Sequence, residues 1–216
     1  MIQAVIFDLD GVLIDSEQVW DDVREDFTCA RGGEWSEQAQ RDMMGMSSTE
    51  WSRYMAQELG VPLSPEEIND AVVEEMATRY RERLPLIEGA VEAVQRMAAE
   101  WPLGLASSAN RPLIDLVLEL SGLDGHFAVT MSSEEVERGK PAPDVYLAVA
   151  ERMSVAPSAC AAIEDSSNGL RSAHAAGMRV VAIPNAHFRP EEDALALADV
   201  VLESLAELAP EPIARD

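Results

Sequence analysis

The sequence predicts an α/β protein, a parallel sheet whose chain is interrupted soon after its first strand by a helical insert. Three observations carry this. Residues 3–7, QAVIF, form a short apolar run rich in branched and aromatic residues that stops at Asp8. From Ser16 to about Arg83 the chain is long, polar and charged, with apolar positions at helical spacing. Beyond Leu84-Pro85, short apolar runs alternate with helical patterns to residue 202. Buried strands alternating with helices need a parallel sheet covered on both faces.

QAVIF reads as the first buried strand. The insert that follows holds four helices, with Val19, Val23 and Phe27 marking the first and Ala71, Val72 and Met76 the last. Breakers separate them at Arg31-Gly32-Gly33, Gly45, Gly60-Val61-Pro62 and Ser64-Pro65. Ser64 is a helix start with proline in the first turn and Glu66-Glu67 behind it. After the insert, PLGLAS (102–107), FAVTM (127–131), CAAIE (160–164), RVVAI (179–183) and ADVVL (198–202) read as strands. Helices are expected over 112–121, 143–153 and 167–176. The result is a Rossmann-like core over 1–15 and 85–216 with a helical domain over 16–84.

Bulk properties narrow the function. A chain of 216 residues that is 47% hydrophobic can bury a real core. A formal net charge of −24 repels nucleic-acid phosphates and anionic lipid heads, so neither partner is expected. Cys29 and Cys160 form no disulfide framework and no metal motif. The N-terminus lacks a basic signal-peptide start, and no apolar run approaches the ~18 residues of a membrane span. With no coiled-coil pattern and no large apolar patch, a cytoplasmic monomer is expected.

Ligands of open parallel sheets bind at the carboxyl ends of strands. There the sequence places Asp8, Asp10, Ser107, Ser108, Glu164 and Asp165, with Lys140 ahead of a helix start. Four crowded carboxylates repel one another and call for a cation. All-oxygen donors point to Mg²⁺, which also takes a phosphate oxygen. Lys140 is the chain's single lysine beside fifteen arginines. A compact ammonium fits between a carboxylate and a phosphoryl oxygen where a planar guanidinium does not. Each motif alone has a blander reading: DG as a turn, Lys140 as a solvated loop residue, the serines as helix caps. Their shared placement at one sheet edge favours a site.

On these residues the chain resembles the haloacid dehalogenase superfamily, in its β-phosphoglucomutase-like and phosphoglycolate phosphatase-like branch. FDLDGVLIDSE (7–17), LASS (105–108), GKPAPDVY (139–146) and IEDSSNG (163–169) are similar to the family's four motifs, in order. The insert fits the family's α-helical cap. The resemblance implies a phosphatase that hydrolyses a small phosphorylated metabolite, such as a sugar phosphate. In it Asp8 is the nucleophile that forms an aspartyl-phosphate, and Asp10 is the acid and base. Ser107, Ser108 and Lys140 hold the phosphoryl group. Asp8, the Asp10 carbonyl and Asp165 hold Mg²⁺, with Glu164 direct or through water.

The chain departs from the mutase pattern in its cap. Trp20 stands where a mutase has histidine, and the loop GMSSTEW (45–51) offers Ser47, Ser48 and Thr49 where a mutase has arginine. The phosphatase reading is therefore preferred to a phosphomutase, and to a non-catalytic phospho-ligand binder, since every chemical group of the site is present. Trp20, Ser47 and Ser48 are the cap residues expected to touch substrate, although Trp20 is equally readable as cap packing. Arg24 and Arg53 read equally as contacts to an acidic substrate or as solvated helix faces. His126, His174 and His187 read as surface or packing residues.

Overall fold

The computed structural model describes residues 1–43, 46–185 and 189–214. The breaker at Gly45 and the residue His187 lie outside them. After β1 (Ala4–Phe7) come α1 (Glu17–Ala30), α2 (Glu37–Met43), α3 (Ser48–Gln57) and α4 (Pro65–Glu82). The alternating half follows as α5 (Ala90–Ala98), β2 (Leu103–Ser107), α6 (Arg111–Ser121), β3 (Phe127–Ser132), α7 (Asp144–Arg152), β4 (Cys160–Glu164), α8 (Ser167–Ala175), β5 (Arg179–Ala182), α9 (Glu192–Leu195), β6 (Val200–Val201) and α10 (Pro210–Ala214).

The six strands form one parallel sheet in the order β3-β2-β1-β4-β5-β6. Strand periodicity divides its side chains between two layers. Val5 and Phe7 face a core shared with α5, α6 and the four inserted helices, while Ala4 and Ile6 face a second core beneath α7 and α8. The strands are buried on both faces, which is why they read as continuous apolar runs. β1 lies in the middle, and strand order runs outward from it in both directions. A crevice therefore opens at the carboxyl ends of β1 and β4.

Two findings differ from the sequence expectation. The helix α5 was not anticipated between Pro85 and residue 102, although Ala90, Ala93, Val94 and Met97 are buried at helical spacing. The last strand is two residues long, not five, since only Val200 and Val201 pair with β5. Among the described residues no helix is long and apolar enough to cross a membrane.

The insert leaves and rejoins the sheet at one place. Asp15 N donates to Pro85 O at 2.8 Å and Ile87 N to Leu13 O at 3.0 Å. A second tie lies at the sheet edge, where Glu134 Oε1 accepts from Ser48 Oγ at 2.6 Å and from Asn110 Nδ2 at 2.8 Å. The same Asn110 amide donates to Asn69 Oδ1 at 3.0 Å. Helices α3 and α4 are thus fixed against the start of α6.

Helix α7 packs directly on β2 at Gly104. A Cβ at that position would stand 2.5 Å from Val149 Cγ1 and 2.9 Å from Met153 Sδ. The substitution Gly104→Ala is expected to cost about 1–3 kcal/mol by overpacking, read as a lowered urea midpoint at constant slope. An unchanged midpoint would show that α7 moves aside freely.

Candidate active site

Asp8 is the first residue beyond β1, and its N–H donates to Ile163 O of β4 at 3.0 Å. The chain then turns at Gly11, whose φ is +80°. A side chain there would be strained, and its Cβ would stand 1.9 Å from Asp165 Oδ2. The DG turn therefore lets the loop after β1 press against the acid after β4.

Lys140 reaches this crevice from the loop before α7, and its peptide bond to Pro141 is cis. Its Nζ donates to Asp8 Oδ1 at 2.8 Å and to Glu164 Oε1 at 2.6 Å, and its side chain is only 4% exposed. It is a buried bridge, not the solvated loop residue that a lone lysine suggests. Glu164 is wholly buried and also accepts from Tyr146 Oη at 2.7 Å. Its other oxygen accepts from Asp165 N at 3.2 Å and from the Ser166 hydroxyl at 3.3 Å. Both oxygens of Glu164 are thus engaged. Asp165 differs, because its buried Oδ1 has no hydrogen-bond partner. Ligand oxygens of Asp8, Glu164 and Asp165 lie within 4.8 Å of one another.

Asp10 occupies the other side of the DG turn. Its Oδ1 accepts from Ser16 Oγ at 2.5 Å and its Oδ2 from Ser107 Oγ at 3.3 Å. The Ser107 hydroxyl is buried and in turn accepts from Ala109 N at 3.0 Å. Ser108 lines the open cleft of about 400 Å³ together with Asp8, Asp10, Lys140 and Asp165. Both strand-end serines therefore meet the site in different ways, one through Asp10 and one at the cleft wall.

The expected insert residues are placed less uniformly. Trp20 is buried beside Trp51, with ring centroids 6.0 Å apart, and borders a small cavity next to Asp10. Ser47 caps α3 with Glu50, and Ser48 is bonded to Glu134. Arg53 is exposed, whereas Arg24 is buried with its guanidinium 4.6 Å from the Trp20 ring centroid and 5.0 Å from that of Trp51. His126 precedes β3 at the opposite end of the sheet from Asp8, and His174 is exposed on the last turn of α8.

Sequence reasoning gave no role to Ser16 and Tyr146, although both lie inside the quoted motifs. It also overlooked that Glu17, Trp20 and Arg24 share one face of α1 by their spacing of three and seven residues.

A model of the haloacid dehalogenase-like hydrolases matches residues 5–183. The chain belongs to that family. Hexitol phosphatase B of Escherichia coli K12 is 36% identical to this hydrolase over 213 residues, covering 96% of this chain and 94% of the relative. The phosphorylated carbohydrates phosphatase of Thermotoga maritima is 31% identical over 179 residues, 82% of each chain. The crystal structure of CbbY from Rhodobacter sphaeroides in complex with phosphate superposes with a TM-score of 0.87 over 99% of both chains at 27% identity. A further crystal structure of the same protein contains xylulose-(1,5)bisphosphate. As a phosphoric monoester hydrolase, this chain carries its acids where they are hardest to ionise. Burial pushes the Asp8 carboxyl up to about 8, against the pull of Lys140 and with further pressure from Glu164 and Asp10. Burial and then Glu164 hold Asp165 well above the carboxylate range. Burial also raises Asp10, against the hydroxyls of Ser16 and Ser107. Burial opposes the charge of Lys140, but Asp8 and Glu164 outweigh it and leave its ammonium above the lysine range.

These shifts set a pH dependence. An acid whose pKa is higher folded than unfolded binds its proton more tightly in the folded chain, so its contribution to stability falls as pH rises. The window runs from the ordinary 3.8 to about 8 for Asp8. In chelator, the melting temperature is expected to fall between about pH 5 and 8, and less steeply in Asp165→Asn. Parallel slopes for the two proteins would count against the burial cost of Asp165.

Proposed function

We propose that this hydrolase is a Mg²⁺-dependent phosphatase of small phosphorylated metabolites, sugar phosphates or similar esters, acting through an aspartyl-phosphate on Asp8. The single observation that carries the reading is the Lys140 bridge between Asp8 and Glu164 beside an unpartnered Asp165 oxygen. The names of the hexitol and carbohydrate phosphatases support the substrate class.

The donor set fits a hard divalent cation. Three buried carboxylates converge around one ammonium, which leaves negative charge uncompensated, and Asp165 Oδ1 has a free lone pair. Asp8, Asp165 and the Asp10 carbonyl would hold the ion. Glu164, with both oxygens engaged, serves as support behind them. A bound Mg²⁺ supplies charge neutralisation, so that a phosphate dianion can approach the Asp8 carboxylate.

The protein groups then act in sequence. Lys140 fixes Asp8 and is close enough to stabilise the charge on a transferring phosphoryl group. Asp8 attacks phosphorus, and the bond to the leaving oxygen breaks as Asp10 gives up its proton. The raised pKa of Asp10 suits an acid, and Ser16 and Ser107 orient its two oxygens. Asp10 next takes a proton from water, which attacks the phosphorus of the aspartyl-phosphate and releases phosphate and Asp8. Ser108 lines the phosphoryl side of the cleft. The four inserted helices act as the cap over residues 16–84, limiting water at the site. Trp20 borders the substrate space, whereas the bonds of Ser47 and Ser48 give them the positioning of α3.

The test is phosphate release from sugar and sugar-alcohol phosphates, phosphoglycolate, nucleotides and 4-nitrophenyl phosphate, with Mg²⁺ and with chelator. Release that depends on Mg²⁺ is expected, and Asp8→Asn is expected to lower kcat by about 10³-fold or more with the fold intact. Substantial turnover by that variant would sink the aspartyl-phosphate. Bisphosphate-primed isomerisation without net phosphate release would replace the phosphatase with a mutase.

A further inference from the structure

A second cation, Arg24, lines a small cavity that shares Asp10 with the cleft that Lys140 lines. Arg24 is 8% exposed, and its Nε has no hydrogen-bond partner. Its guanidinium lies over both the Trp20 and Trp51 rings, 4.6 and 5.0 Å from centroids that are themselves 6.0 Å apart, and it lines a cavity of about 80 Å³ with Asp10, Glu17 and Ser108. Asp10, Glu17 and Ser108 also line the larger cleft, so the two spaces meet at Asp10. Burial lowers the Arg24 guanidinium to about 10, with the carboxylates of Glu17, Asp21 and Asp10 pulling it back. Burying an unpaired donor of a cation is costly. An apolar side chain would cover the two indoles at lower cost, so packing alone does not account for the charge.

We propose that Arg24 is a specificity-determining residue of this hydrolase, receiving the hydroxylated carbon chain of the leaving alcohol and so selecting sugar and sugar-alcohol monophosphates over esters of apolar alcohols. The inference rests on the phosphatase reading, in which the leaving oxygen sits at Asp10. Atoms bonded to that oxygen begin at Asp10 and extend into the small cavity that Glu17, Trp20, Arg24 and Trp51 line with it. A hydroxyl accepts from the Arg24 fork and donates to Glu17, satisfying both. A second phosphate would meet the Glu17 carboxylate beside a single guanidinium, which disfavours it. The site is thus built for neutral oxygens, and the indole faces suit the C–H surface of a carbon chain.

The experiment compares the wild type, Arg24→Met and Arg24→Lys on sorbitol 6-phosphate, fructose 1,6-bisphosphate and 4-nitrophenyl phosphate, with Mg²⁺ throughout. The quantity read is the ratio of kcat/KM on sorbitol 6-phosphate to that on 4-nitrophenyl phosphate, because a loss of folded enzyme cancels from it. Arg24→Met is expected to lower this ratio about 10- to 100-fold, mainly through KM, as for a lost hydrogen bond to a charged group. Arg24→Lys, which keeps the charge without the fork, is expected to recover part of it. A ratio within about threefold of the wild type in both variants would leave Arg24 a structural bridge and overturn the inference. A loss confined to the bisphosphate would overturn it in favour of an anionic group. A wild type active on 4-nitrophenyl phosphate alone would overturn it while the phosphatase reading stands. Activity on none of the three would remove that reading itself.

Discussion

The structure depends on one ammonium placed among too many carboxylates. Lys140 ties Asp8 of the first strand's end to Glu164 of the fourth's, across the point where strand order turns outward from β1. The parallel sheet brings both acids to the same edge, because parallel strands all end on one side. Burial makes their charges costly, and a single lysine offsets only part of that cost. The site is therefore unsaturated electrostatically. In the proposed phosphatase, that property would attract a divalent cation and then a phosphate, despite a formal net charge of −24.

The surrounding contacts serve to keep that arrangement in one geometry. Tyr146 and the backbone at Asp165 hold Glu164 on opposite sides, so Glu164 in turn orients Lys140. Ser16 and Ser107 clamp Asp10 from the start of the insert and from the end of β2. The insert is thus joined to the chemistry through Asp10 as well as through Glu134, which gathers Ser48 and Asn110 at the sheet edge. A change in how the inserted helices sit would be felt first at Asp10, the group to which the proposed mechanism gives leaving-group protonation.

Much of this was legible in the sequence, for physical reasons. Strands buried on both faces are continuous apolar runs, so β1, β2 and β4 stood out, and the acids and hydroxyls that end them could be placed at one edge. Strand order could not be read, since no local pattern encodes which strand neighbours β1. α5 was missed beside the stronger signals of Pro85 and the strand at 102, although its buried positions repeat every three to four residues. Lys140 taken alone reads as a solvated residue, because burial is a property of the whole loop packed on α7. Arg24 stood undecided for the same reason: α1 presents it inward only once α3 brings Trp51 against Trp20. Ser47 and Ser48 illustrate the converse, where a polar loop that could contact substrate is used by a helix cap and by Glu134.

The use of one lysine among fifteen arginines follows from what each cation must fit. Arginines such as Arg138 and Arg79 meet carboxylates at the surface, where a planar fork takes two oxygens and water carries the remaining cost. Between Asp8 and Glu164 the space is closed, and two donors must diverge from one point toward acids at the ends of different strands. A compact ammonium does this, whereas a planar guanidinium aims its donors in one plane. At Arg24 the requirement reverses. Two tilted indoles in contact present their faces to one side, and the delocalised, planar Arg24 lies over both of them. The two buried cations are thus not interchangeable: Lys140 meets two acids from one point, whereas Arg24 spreads a planar group over two indole faces.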